Sequence, residues 1–100
     1  MKGRSVRFTA TAQRHLDRER TWWLENRDYR DLFATELEAA TQVLAVLPGA
    51  GTPYAHARVP SVRRLYLRHL GCHLYYTFDD NQVIVRALWG ARRGRGPRLR

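Results

Sequence analysis

Several features on which many small proteins depend are scarce in this chain. Its 100 residues include one cysteine and one methionine, and only nine acidic side chains stand against 18 lysines and arginines. A single thiol excludes an internal disulfide framework and cannot form a zinc site without several further ligands. No apolar run approaches the roughly 20 residues that span a membrane, and the first residues lack the apolar core of a signal peptide. We therefore expect one small cytoplasmic domain with no metal, no cofactor and no membrane partner.

The charge balance is the strongest compositional signal. The formal net charge is +9 and the isoelectric point is near 11.0. Such a charge on a short chain favours a polyanionic partner, such as nucleic acid, the ribosome, anionic lipid or an acidic protein. The four histidines have no acidic residue or second histidine at metal-ligand spacing, and the lone Cys72 is expected to be buried or to lie in a turn rather than to act as a nucleophile.

The first half of the chain shows helical patterns. Alternation over Arg4–Thr9 predicts a first strand, and Thr9 or Thr11 can cap a helix from Ala10 to Asn26. A second helix, which ends at Pro48 and Gly49, is predicted by apolar residues at helical spacing, namely Phe33, Leu37, Ala40, Leu44 and Leu47. Two consecutive amphipathic helices need an apolar surface to cover, and one face of a sheet supplies it.

The second half reads as a loop and three strands. Three prolines and two glycines lie in Pro48–Pro60, which predicts a loop. Alternating segments then predict strands at Val62–His69, His73–Asp79 and Gln82–Gly90, with turns at Gly71 and at Asp79-Asp80-Asn81. The predicted fold is α+β, with a small antiparallel sheet and two N-terminal helices packed on one face in the order β-α-α-β-β-β. The domain covers residues 1–91, and residues 92–100 are expected to form a flexible basic tail.

Strict alternation along the strands predicts what each sheet face carries. Facing the helices would be Leu65, Leu67, Leu74, Tyr76, Phe78, Val83, Val85, Ala87 and Trp89. The open face would then gather Arg64, Arg68, His73 and Arg86, with Tyr66 and Tyr75 between them. Arginines interleaved with tyrosines can hold phosphates and stack bases. The alternative is an ordinary solvated face whose arginines keep the protein soluble and its strand edges unpaired.

Motifs along nearly the whole chain resemble those of the RelE/ParE superfamily of bacterial toxins. The first strand leads into small residues, the first helix ends in an aromatic pair, and a proline–glycine loop precedes an Arg-Arg-Leu-x-Leu strand. The matching segments are Ala10–Ala12, Trp22-Trp23 with Glu25–Arg27, Phe33, Glu36-Leu37, Leu44, Pro48-Gly49, Gly51–Pro53, Arg63–Leu67, Leu74–Tyr76, Asp79-Asp80, Val83–Val85 and Gly90–Arg93. His73 stands where the family usually has arginine.

The resemblance implies a toxin that a cognate antitoxin holds inactive. RelE-like members cut messenger RNA on the ribosome, and ParE-like members poison DNA gyrase. If this chain is an endoribonuclease, the resemblance implies catalytic roles for Arg64, Arg68, His73 and Arg92. RelE-like members also carry an acid–base residue near the C-terminus, commonly a tyrosine, whereas this chain has Arg98 and no tyrosine after Tyr76.

Three functions therefore compete at this stage. A ParE-like toxin that inhibits DNA gyrase leads, a RelE-like ribosome-dependent endoribonuclease follows, and a non-toxic basic module that binds nucleic acid or the ribosome is the alternative from another class. The expected partners are a cognate acidic antitoxin and, as the target, DNA gyrase or the ribosome with its messenger RNA. The target-binding surface is expected to consist of Arg64, Tyr66, Arg68, Tyr75, Arg86 and Arg92.

Overall fold

Two helices and five strands make up the fold of the described residues. The structure is a computed structural model that describes residues 3–29, 31–56, 58–91 and 95–99. The elements in chain order are β1 (Ser5–Phe8), α1 (Ala10–Asn26), α2 (Leu32–Val46), a 3-10 turn (Pro48–Ala50), β2 (Thr52–Pro53), β3 (Arg63–Leu67), β4 (Cys72–Phe78) and β5 (Gln82–Gly90). The α+β class and the β-α-α-β-β-β order are confirmed, with the two-residue β2 as an addition inside the predicted loop. No helix in the described part of the chain is long and apolar enough to cross a membrane.

The sheet is mixed rather than purely antiparallel. Its strand order is β1-β5-β4-β3-β2, and β1 runs parallel to β5 while every other pair is antiparallel. Parallel neighbours need a long connection that crosses a sheet face. The two helices that follow β1 supply that connection. The last strand, β5, then lies beside β1 and runs in the same direction. This pairing depends on contacts between distant parts of the chain, which local alternation does not encode.

The main core lies between the helices and one sheet face. Phe33 and Leu44 of α2 are 3% and 0% exposed, and Leu16 and Leu37 pack partly buried against the same cluster. The predicted packing of both helices on one face is confirmed. The start of α1 also follows its sequence signal, because the Ala12 amide donates to Thr9 Oγ1 at 3.1 Å and so satisfies a first-turn N–H.

A β-bulge changes which side chains of β5 face the helices. Tyr75 pairs with Ala87 and Tyr76 pairs with Val85, so Arg86 is the extra residue on β5. Val83 and Val85 lie in the main core as predicted. Beyond the bulge the alternation is shifted, so Leu88 joins the main core while Ala87 and Trp89 lie on the opposite face. The predicted placement of Ala87 and Trp89 is therefore wrong, because strict alternation does not allow for an extra residue.

The face predicted to be open carries a second apolar cluster. Val59 and Val62 from the loop before β3 are buried there, and they pack with Tyr75, Ala87 and Leu99. Tyr75 is only 2% exposed, so the expectation that this face leaves Tyr75 open is wrong. The predicted loop Pro48–Pro60 is anchored on the sheet by Val59, together with Val62 just beyond it.

The segment Arg95–Leu99, which we call the strap, closes over this second cluster. Pro97 is buried, Leu99 is 2% exposed, and Trp89 Nε1 donates to the Arg95 carbonyl at 2.8 Å. A flexible tail was expected after Ala91, and for the described residues 95–99 the structure shows a packed segment instead. Pro97 and Leu99 stand among arginines and glycines and therefore produce no periodic signal, although their burial anchors the strap to the sheet.

The hydroxyl of Tyr76 joins the core to the turn after α2. Tyr76 is fully buried, and its hydroxyl donates to the Pro48 carbonyl at 2.6 Å and accepts from the Gly51 amide at 2.9 Å. A Cβ at Gly51 would lie 2.7 Å from both the Arg64 carbonyl and this hydroxyl, so the backbone approach requires glycine. The Arg63 guanidinium donates to the Gly51 carbonyl at 2.7 Å and holds the same turn against β3.

Tyr76→Phe is expected to lower the free energy of unfolding by about 1–3 kcal/mol, because it leaves a buried amide and a buried carbonyl without their partner. The matched control is Tyr66→Phe, which removes the same hydroxyl from a ring that is 51% exposed and should change stability by less than about 0.5 kcal/mol. Urea denaturation of both variants measures the difference. Equal stability of the two would show that the Tyr76 hydroxyl contributes nothing.

Candidate functional site: a basic groove and an arginine-lined cavity

Helix α1 is positioned along the part of β5 that β1 leaves unpaired. β1 ends opposite Val85, and beyond it the Leu88 amide donates to His15 Nδ1 at 3.3 Å. The rings of His15 and Trp89 lie 5.3 Å apart, and the Arg18 guanidinium lies 5.6 Å from the Trp89 ring centroid. These contacts hold α1 beside the end of the sheet, where β3 and β4 turn, and a groove results between them.

This α1 groove is wide, basic and partly aromatic, with a volume of about 670 Å³. The Trp22 and Trp23 rings meet edge to face at 6.0 Å, and the Arg27 guanidinium lies 4.9 Å from the Trp22 ring centroid. Trp23 is buried, whereas Trp22 is 43% exposed. Across the groove from α1 lie Tyr66, Arg68 and His69. Exposed aromatic rings beside arginines suit a partner that offers both apolar and acidic groups.

A smaller cavity lies on the sheet face beneath the strap, and we call it the sheet cavity. Its volume is about 190 Å³, and its lining includes Tyr54, Arg64, His73, Tyr75, Trp89 and Arg95. The Tyr54 and Tyr75 rings pack edge to face at 4.9 Å, and the Arg64 guanidinium lies 5.2 Å from the Tyr54 ring centroid. Gly90 and Ala91 line both the sheet cavity and the α1 groove, so the two depressions adjoin.

The electrostatics of the sheet cavity favour a neutral His73. Burial lowers the pKa of His73 from its usual value, and the nearby positive charge of Arg64 lowers the pKa further. The imidazole lies 5.0 Å from the Tyr66 ring and 6.1 Å from the Tyr75 ring, between aromatic neighbours. A neutral imidazole can accept or donate a hydrogen bond at neutral pH, but it adds no cation to the cavity.

The structure divides the residues that the sequence grouped as one surface. Arg64 and His73 line the sheet cavity, while Tyr66 and Arg68 line the α1 groove. Tyr75 forms a buried wall of the cavity, and Arg86 lies at the bulge with its Nε donating to Thr77 Oγ1 at 2.9 Å. Arg92 lies outside the described residues. The predicted target-binding roles of Arg64, Tyr66, Arg68, Tyr75, Arg86 and Arg92 stay predictions, as does the catalytic role of His73.

Sequence reasoning missed other residues of the site. Arg95 and Tyr54 reach the sheet cavity from the strap and from the loop before β3, two segments without a periodic pattern. Arg18 and Arg27 line the groove on α1. The adjacent tryptophans were the one signal of this groove, because two large rings in succession on a helix cannot both point into the core.

The described residues form neither a reactive thiol nor a metal centre. Cys72 is buried at the start of β4, as expected, and burial together with the charge of Glu19 raises the pKa of its thiol to about 12. A thiol with that pKa is protonated at neutral pH and is a poor nucleophile. Within residues 3–29, 31–56, 58–91 and 95–99, no three His, Cys, Asp or Glu side chains cluster as metal ligands would.

Comparison with known proteins assigns the fold and the family. Two solved structures that resemble this chain are the chromosomal ParDE toxin–antitoxin system from P. aeruginosa (TM-score 0.66, 14% identity, covering 87% of this chain and 95% of that chain) and the toxin–antitoxin complex RelBE2 from Mycobacterium tuberculosis (TM-score 0.62, 24% identity, covering 88% and 91%). At these identities the likeness shows the fold. No curated protein sequence matches significantly.

A family model described as the ParE toxin of the type II toxin–antitoxin system parDE matches residues 6–94. That match covers both helices, all the strands from Val6 onward and the lining of the α1 groove, but it leaves out Arg95 and Gly96 of the sheet cavity. The match stops just before the strap. The chain therefore belongs to the ParE toxin family and is a ParE/RelE-type toxin of a type II toxin–antitoxin system.

Proposed function

We propose that this toxin arrests growth by inhibiting DNA gyrase, and that it does not cut messenger RNA. The observation that carries the proposal is the separation of the residues an RNA-cutting site would need. Arg64 and His73 line the sheet cavity, whereas Arg68 lines the α1 groove. The match to the ParE family model supports the same conclusion.

Cleavage of RNA through its 2′-hydroxyl requires a group that takes a proton, a group that protonates the leaving oxygen, and cations for the phosphorane. The described lining of the sheet cavity offers one imidazole, His73, and no Asp, Glu or second His. The described lining can bind an anion through its arginines. Beside His73, an acid–base pair would have to draw on Tyr54 or Tyr75, whose rings pack edge to face at 4.9 Å as the cavity wall. Inhibition of gyrase by binding needs no such pair.

The partner proposed for the resting state is an acidic antitoxin. The similar structures are toxin–antitoxin systems, and the net charge of +9 favours an acidic partner that speeds association and removes self-repulsion. The α1 groove, with Trp22 and Tyr66 exposed beside Arg68, suits a segment that carries apolar and acidic residues. Because Arg68 and Tyr66 also belong to the proposed target-binding surface, an antitoxin lying there would block the target.

A ribosome-dependent endoribonuclease is the second candidate, favoured by one observation, the presence of Arg64 and His73 in the same cavity. His73→Ala separates the two functions. If His73 transfers protons, its loss should reduce messenger RNA cleavage by about 10²–10⁴-fold. We expect instead that most of the growth arrest remains, measured as colony counts after induced expression.

Gln13→Ala is the control for that experiment. It shortens an exposed side chain of α1 that lines neither the sheet cavity nor the α1 groove. Both variants should be equally soluble and equally toxic. Loss of toxicity in His73→Ala alone, with the fold intact, would favour the ribonuclease.

A further inference from the structure

The sheet cavity holds positive charge that no carboxylate of the described residues balances. Arg64 is half-buried, and its guanidinium packs against Tyr54 at 5.2 Å. Arg95 adds a second guanidinium at the rim. Among the described residues no carboxylate lies within 4.0 Å of either arginine, since the ion pair found there joins His69 and Glu36. Withdrawing a charge from water without a counter-charge is costly, so an anion that enters the cavity would relieve that cost.

The cavity is held in shape by specific contacts. Tyr54 and Tyr75 form a rigid aromatic corner, and Trp89 Nε1 ties the Arg95 carbonyl in place at 2.8 Å. The strap passes so close to Tyr54 that a Cβ at Gly96 would collide with the Tyr54 hydroxyl. Arg64 is therefore held against the aromatic corner, while Arg95 is exposed at the rim and is tied to the sheet through its backbone carbonyl.

We propose that the sheet cavity receives one carboxylate side chain of the antitoxin, which binds between Arg64 and Arg95. This inference rests on the proposed function in one respect, the existence of an acidic antitoxin. It adds a second contact beyond the α1 groove. Because Gly90 and Ala91 line both depressions, a segment that lies in the groove can place an Asp or Glu side chain in the cavity.

Size favours a carboxylate over the phosphate of a nucleic acid strand. A volume of about 190 Å³ admits the end of one side chain. An Asp or Glu carboxylate is such an end, whereas a phosphodiester within a strand carries a nucleoside on both sides. The walls of Tyr54 and Trp89 also suit the methylene groups that precede a carboxylate, and guanidinium groups bind carboxylates through charge-assisted hydrogen bonds.

The direct test compares the affinity of purified toxin variants for the purified antitoxin by titration calorimetry. Arg64→Gln should weaken binding by roughly 30-fold or more, because the half-buried arginine that binds the carboxylate is lost and the carboxylate is left without that partner. The matched control Arg20→Gln removes the same charge from the exposed surface of α1, outside both depressions, and should change affinity by less than about 3-fold. Equal affinities for Arg64→Gln and Arg20→Gln would overturn the carboxylate site. If both variants still bound the antitoxin tightly, the antitoxin would remain a partner of this toxin and only the proposed site would fail.

A second measurement uses the unmodified chain and keeps the test valid if Arg64→Gln does not fold. Butyrate, which imitates a Glu side chain, is titrated while the His73 imidazole is followed by NMR, with the neutral butyramide as control. We expect saturable shifts and a raised His73 pKa with butyrate and neither effect with butyramide, because a nearby carboxylate stabilises the imidazolium. Identical responses to butyrate and butyramide would contradict the proposal. The proposal would also be contradicted if a single-stranded RNA oligonucleotide shifted the His73 signals while butyrate and the antitoxin did not. That result would assign the cavity to nucleic acid.

Discussion

Phe33→Ala is expected to lower the free energy of unfolding by about 3–5 kcal/mol, the largest loss that we predict for a single substitution in this toxin. The ring is 3% exposed and belongs to the main core, where α2 packs on the sheet. Removing it deletes the buried surface and leaves a cavity that close-packed neighbours fill only in part. A small domain has a total stability of about 5–15 kcal/mol, so this loss is a large share of it.

Urea denaturation followed by tryptophan fluorescence measures this effect, since Trp23 lies in the same core. Tyr29→Ala is the control, because that ring is 76% exposed and its truncation should change stability by less than about 0.5 kcal/mol. If Phe33→Ala were as stable as Tyr29→Ala, the packing of α2 on the sheet would be contradicted.

Leu99→Ala is expected to lower the free energy of unfolding by about 2–5 kcal/mol, because Leu99 is 2% exposed in the second apolar cluster. The neighbouring Arg98 is exposed, so Arg98→Ala should change stability by less than about 0.5 kcal/mol. The comparison of these adjacent positions tests whether the strap is packed on the sheet. A flexible tail, as the arginine-rich sequence suggests, would give two small and equal effects.

Leu99→Ala also tests the sheet cavity indirectly. The strap carries Arg95, and Leu99 anchors it to Val59, Val62 and Tyr75. If Leu99→Ala releases the strap, the variant should lose affinity for the antitoxin as Arg64→Gln does, while Arg98→Ala should not. The destabilisation and the lost affinity are measured on the same purified proteins.

The parts of the fold that local signals specify were predicted well. Thr9 and Asn26 delimit α1 as predicted, because an N-cap hydroxyl and an interrupted apolar stripe act within one helical turn. The turn between β4 and β5 is equally local, since Asp79 accepts from the amides of Asn81 and Gln82 at 2.8 and 2.9 Å. These hydrogen bonds also lower the pKa of the Asp79 carboxyl, which the charge of Arg4 assists to a smaller degree.

The parts that sequence reasoning missed depend on long-range pairing. One extra residue at Arg86 reverses the faces of Ala87 and Trp89, and no local pattern distinguishes a bulge from regular alternation. The parallel pairing of β1 with β5 and the burial of Leu99 also join segments that are distant in sequence. For the site, Arg64 and His73 were found because alternation held across β3 and β4, whereas Arg95 was hidden in a segment without periodicity.

The central claim, that this ParE-family toxin acts on DNA gyrase, is tested most directly by a supercoiling assay. Purified toxin is added to purified gyrase and relaxed plasmid, and in parallel to a ribosome-programmed translation reaction in which messenger RNA ends are mapped. The account predicts inhibition of supercoiling by the unmodified chain and by His73→Ala alike, with messenger RNA ends unchanged. Normal supercoiling, together with ribosome-dependent messenger RNA cuts that vanish in His73→Ala, would contradict it.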